Sequence, residues 1–133
     1  MSDRLESVLK FNNSLHMATL NIRHLSPMIP SFNLDETQRF LEEVLGFKCS
    51  MNTETYRILS YDGFTLHLQQ AGDISEMAVY MEVRDLDTLW EVVKNKLDKV
   101  QYREPFLQEY GMKEIHIVLP ETKTLLFIGE PVQ

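Results

Sequence analysis

Two hydrophobic periods alternate along the chain. Residues 35–46 place Phe40, Leu41, Val44 and Leu45 on one helical stripe, with Asp35 as the expected cap and Gly46 as the stop. Residues 47–51 and 55–61 follow with strand character, and Asp62-Gly63 is a two-residue hairpin signal joining YRILSY to FTLHLQQ. The order then begins again. Residues 77–83 (MAVYMEV) read as a strand, and Asp87 precedes a helix that buries Leu86, Leu89, Trp90, Val93 and Leu97. A short strand at 100–103 and an irregular segment, EPFLQEYGM, come next, then the strands EIHIVLP and TLLFIGE around a turn at 121–123. Ahead of the first helix, residues 26–33 (SPMIPSFN) read as an extended edge segment, because Pro27 and Pro30 cannot donate to a central ladder.

The repetition is the strongest signal. Asn33-Leu34-Asp35 and Asp85-Leu86-Asp87 occupy the same strand-to-helix junction 52 positions apart, and TLHL at 65–68 matches TLLF at 124–127. Each half therefore reads strand–helix–strand–strand–strand. A half of about sixty residues buries too little surface to stand alone, which implies two halves packed as one pseudo-symmetric α+β domain.

Composition limits what such a domain does. The 133 residues suit one domain, and the single cysteine, Cys49, excludes an internal disulfide framework and a cysteine-rich metal site. Thirteen basic against twenty acidic residues give a net charge of −7, which disfavours nucleic acid as a partner and favours cations. No apolar run approaches the ~20 residues of a membrane span, so no membrane partner is expected, and the cysteine usage suits a cytoplasmic protein. Residues 1–24 are expected to form a leader, with a short amphipathic helix at 3–11, and His16-Met17 has the look of a cloning scar. The domain proper is then 25–133, with modules at about 25–72 and 76–132.

The phrases NLDETQRFLEEVLGF, DGFTLHL, AVYMEVRDLDTLWEVV and YGMKEIHIVLPETKTLLFIGEP together resemble the vicinal oxygen chelate superfamily. Within it they resemble the metal-free, bleomycin-resistance-protein-like branch of the glyoxalase group. The resemblance implies paired βαβββ modules whose curled mixed sheets form a cleft, with a homodimer completing the pockets. It also implies four metal-ligand positions, two per module, which fall here on Ser26, His67, Ala78 and Leu126. Only His67 is a good ligand, and Ala78 and Leu126 have no donor atom, so no metal or other cofactor is expected. A shifted set of His24, His67 and Glu82 is the alternative.

Period-two alternation then assigns the lining of the cleft. Thr65, His67 and Gln69 face in, with Phe64, Leu66 and Leu68 under a helix. Ala78, Tyr80 and Glu82 face in from the next module, as do His116 and Val118, and the first strand adds Met28 and Phe32. The resemblance implies that the segment holding Phe106 and Tyr110 walls the pocket. The expected ligand contacts are Phe32, Tyr56, His67, Tyr80, Glu82, Phe106, Tyr110 and His116, and Glu82 should find a partner in Arg57, Arg84, a histidine or the ligand. Aromatic faces and carboxylates suit a planar, cationic organic molecule.

No nucleophile–base pair and no glycine-rich phosphate loop is present, so no catalytic residue is assigned. The expected function is sequestration of such a compound, a bleomycin-like antibiotic for example, without turnover. The alternative is a metal-dependent lyase or dioxygenase of the glyoxalase type with displaced ligands.

Overall fold

The computed structural model describes residues 20–132. The expected leader helix at 3–11 lies outside the described residues. Within them, β1 (Met28–Ser31), α1 (Leu34–Leu45), β2 (Lys48–Asn52), β3 (Tyr56–Tyr61) and β4 (Phe64–Gln70) form one βαβββ module. The second comprises β5 (Met77–Glu82), α2 (Leu86–Val93), β6 (Tyr102–Leu107), β7 (Met112–Val118) and β8 (Thr124–Pro131). Each module makes its own mixed four-stranded sheet, ordered β1-β4-β3-β2 and β5-β8-β7-β6. In both, the first strand lies parallel to the last, and the remaining pairs are antiparallel. None of the described helices is long and apolar enough to cross a membrane.

The local chemistry explains the elements. Asp62 and Gly63 both adopt positive φ (51° and 86°), the geometry that closes a tight hairpin with the strands' own twist. The hairpin sets Tyr61 against Phe64, His67 against Ile58 and Gln69 against Tyr56. Both helices are capped two residues earlier than the acidic residues suggest. Asn33 accepts from the Glu36 amide and Asp85 from the Thr88 amide, while Asp35 and Asp87 sit in the first turn, where a negative charge favours the helix dipole. β6 is longer than expected, because Pro105 falls within a bulge between Arg103 and Phe106 that spares it a ladder bond.

One core serves both modules. Ile29, Leu41, Leu59 and Leu68 from the first cluster with Leu86, Ile117, Leu126 and Ile128 from the second. A buried polar chain also crosses between them. The Ser31 and Thr37 hydroxyls share a 2.8 Å hydrogen bond, and Thr37 donates to the Pro120 carbonyl at 2.7 Å. Phe64, expected under a helix, is instead exposed at the hairpin corner.

Within the second module, Glu130 on β8 ties the sheet to the start of α2, accepting from the Asp85 amide at 2.7 Å and the Leu86 amide at 3.0 Å. These are unpaired helix-terminal donors at the positive end of the dipole. Replacing Glu130 with Ala should cost about 1 kcal/mol in urea unfolding, with Glu130→Gln recovering part of it.

Candidate functional site

The face of each sheet turned away from the shared core carries the polar and aromatic side chains that alternation selects. On the first sheet, Tyr56 and His67 meet across β3 and β4. The Tyr56 hydroxyl lies 2.6 Å from His67 Nδ1, and the two rings stand edge to face. Met28, half exposed, is the β1 partner of His67. Phe32 stands just past the end of β1, and it lines neither of the hollows that Tyr80 borders.

The second sheet holds the denser cluster. Phe106, His116 and Phe127 pack in a row, with ring centroids 4.9 Å and 4.1 Å apart, and the Arg103 guanidinium lies 3.4 Å above the Phe106 ring. Tyr80 donates to Glu82 at 3.3 Å. Of the eight expected contacts, five therefore share this face: Tyr80, Glu82, Phe106, Tyr110 and His116. Glu82 is exposed and needs no buried partner. Arg57, one of the partners suggested for it, points to the core side and holds Asp35 at 2.9 Å.

The buried carboxylate is another residue, Glu114, which is 1% exposed. Its Oε1 accepts from His116 Nε2 at 2.8 Å and Gln108 Nε2 at 3.0 Å, and its Oε2 from the Tyr110 hydroxyl at 2.7 Å. Burial pushes its pKa up, but the hydrogen bonds from His116, Gln108 and Tyr110 outweigh that effect and hold it below the usual carboxylate range. Tyr110 moves the opposite way, raised first by its bond to Glu114 and then by desolvation. Tyr80 is raised by desolvation and by the nearby Glu82.

Room for Glu114 comes from Gly129 beside it on β8. A Cβ there would sit 3.3 Å from Glu114 Cγ, 3.3 Å from the Tyr80 ring and 3.2 Å from Met112. The alternation that turns His116 and Val118 inward places Glu114 there too, so a signal for it existed. Beside this group lies a hollow of about 400 Å³ bordered by Tyr80, Tyr110, Met112, Glu114 and Phe127. A second, of about 430 Å³, brings Arg23 and His24 near Tyr80 and Glu82.

The register corrects one of the four ligand positions. Met28 pairs with His67 and Tyr80 pairs with Phe127, so the counterpart of His67 is Phe127. Leu126 is fully buried in the core. Matching TLHL to TLLF as strings hid this one-residue difference, which reverses the face. The corrected set is Ser26, His67, Ala78 and Phe127. The Ser26 hydroxyl contacts that of Thr65, and Ala78 and Phe127 offer no donor, so these positions do not fit a divalent ion. Among the described residues no three His, Cys, Asp or Glu side chains converge as metal ligands, and the alternative trio of His24, His67 and Glu82 is not brought together.

No family model matches the sequence, and no curated protein matches it. Solved structures do share its fold. A bleomycin-binding protein in complex with bleomycin superposes with a TM-score of 0.70 at 22% identity, covering 82% of this chain and 98% of that one. A glyoxalase-related enzyme from Clostridium phytofermentans gives 0.71 at 18% identity, covering 86% and 98%. A lactoylglutathione lyase from Agrobacterium tumefaciens gives 0.68 at 12%, covering 84% and 95%. The fold is thus one shared by bleomycin-binding proteins and glyoxalase-related enzymes. Proteins that bind and proteins that catalyse are both among those that share it.

Because Glu114 is ionised more readily in the folded chain than in the unfolded one, its contribution to stability is present above the ordinary carboxylate pKa of 4.5. It is lost as pH falls through the lower folded value. Glu114→Gln should be about 1–3 kcal/mol less stable than the parent in urea at pH 7, and the difference should shrink as the pH is lowered below that value.

Proposed function

We propose that this protein binds a planar, cationic organic compound without metal and without turnover, in clefts completed by a second copy of the chain. The reading is carried by one observation. Each sheet buries a single face, and the opposite face of the second presents a row of aromatic rings over a buried carboxylate. Tyr80, Tyr110 and Met28 are half exposed or more, as side chains awaiting a partner surface and a ligand are. The carboxylate and the net charge of −7 attract a cation, and the rings stack on a flat one. The donor-poor set Ser26, His67, Ala78 and Phe127 supports a metal-free cleft. The bleomycin complex of one protein of this fold makes bleomycin the natural first ligand to try, and the single cysteine fits a cytoplasmic site of action.

Titration calorimetry with bleomycin should give saturable binding in the micromolar range or tighter, unchanged after chelator dialysis or added Zn²⁺ or Mn²⁺. Sedimentation should give a dimer. A stoichiometric metal that is lost on His67→Ala, or consumption of an added substrate that depends on metal, would establish the glyoxalase-type enzyme instead.

A further inference from the structure

Glu114 is unusual in how its charge is met. Its hydrogen-bond partners are an amide, a phenol and an imidazole, and among the described residues only His116 stands within ion-pair distance. Arg103, the β6 partner of His116, is laid over the Phe106 ring. Three hydrogen bonds hold the ionised carboxylate, but the one group within ion-pair distance is an imidazole at Oε1, so beside a 400 Å³ hollow Oε2 is left open to a full cation.

The geometry at Oε2 shows where. Among the described residues that oxygen has one partner, the Tyr110 hydroxyl, and Tyr110 is otherwise exposed, 64% of its surface facing solvent. It sits in the β6–β7 turn, directly before Gly111 at φ 85°, so a small rotation in the turn or a change of side-chain torsion lifts the hydroxyl away.

We propose that Glu114 anchors an N–H-bearing cationic group of the ligand, an amidinium, guanidinium or protonated amine. Tyr110 is the placeholder whose hydroxyl the ligand's N–H displaces from Oε2. The two hydrogen bonds at Oε1 keep the carboxylate in place during the exchange. The displaced ring remains beside the hollow, where with Tyr80 and Phe127 it flanks the cation. This inference rests on the ligand-binding reading above and adds to it the charge, the atom and the group that is exchanged.

Benzamidine and its neutral isostere benzamide separate the two. Ligand-detected NMR titration of the full chain should show benzamidine binding at least about tenfold more tightly than benzamide, because a charge-assisted bond replaces a neutral one. Glu114→Gln should abolish that preference, whereas Glu91→Gln, which removes the same formal charge from α2, should leave it intact. Tyr110→Phe keeps the ring and frees Oε2, so it should tighten benzamidine several-fold and leave benzamide unchanged.

Equal binding of the two probes, or a preference that survives Glu114→Gln, overturns the anchor while leaving the ligand-binding reading in place, and so does bleomycin binding with no response to benzamidine. Failure of bleomycin and both probes removes that reading, and the anchor with it. Weaker benzamidine binding by Tyr110→Phe overturns the placeholder. Should Glu114→Gln not fold, the two probes on the parent and on Tyr110→Phe decide the matter.

Discussion

Each four-stranded sheet can bury only one of its faces within this chain, and nearly everything else follows from that. The buried faces join in a single core, where Leu59 and Leu68 meet Ile117, Leu126 and Ile128. With period-two alternation, committing those residues inward commits their neighbours outward. His67 lies between Leu66 and Leu68, and Phe127 between Leu126 and Ile128. The hydrophobic effect thus selects which side chains are available for chemistry before any of them meets a ligand.

The join between modules is polar as well as apolar. Ser31, Thr37 and the Pro120 carbonyl are linked in series in a dry environment, where hydrogen bonds are strong and an unmade one is costly. The Phe32 amide adds a 2.8 Å bond to the Glu121 carbonyl at the same junction. These bonds tie together two sheets that share no ladder.

Most of the architecture was legible in the sequence because it is written in local periods: two helices, the Asp62-Gly63 hairpin, the edge position of the proline-bearing first strand and the repeat itself. The errors arose where two residues compete for one role. Asn33 and Asp35, or Asp85 and Asp87, are equally good caps by composition, and the side-chain hydrogen bonds fall to the first of each pair, Asn33 in extended backbone and Asp85 at positive φ. The counterpart of His67 was misplaced because string similarity ignores register. Glu114 shares the alternation of His116 and Val118 but stands first in EIHIVLP, where the pattern alone does not show whether the strand has begun. β7 in fact begins two residues earlier, which puts Glu114 well inside the pleat. Nothing in the sequence indicated that Gln108 and Tyr110 would fold back to hold it, since that depends on the turn's three-dimensional path.

The two modules do not differ evenly along their length. Met51 pairs with Ile58 and, at the matching rung, Arg103 pairs with His116, so the second hairpin is six residues longer than the first. Phe106, Gln108, Tyr110 and Glu114 all lie in that longer stretch. The acidic centre is thus an elaboration on one copy of a duplicated frame, confined between two rungs that the frame already fixes. A hairpin of another length or sequence could be grafted between Arg103 and His116 with both sheets kept in register, giving the same scaffold a different appetite.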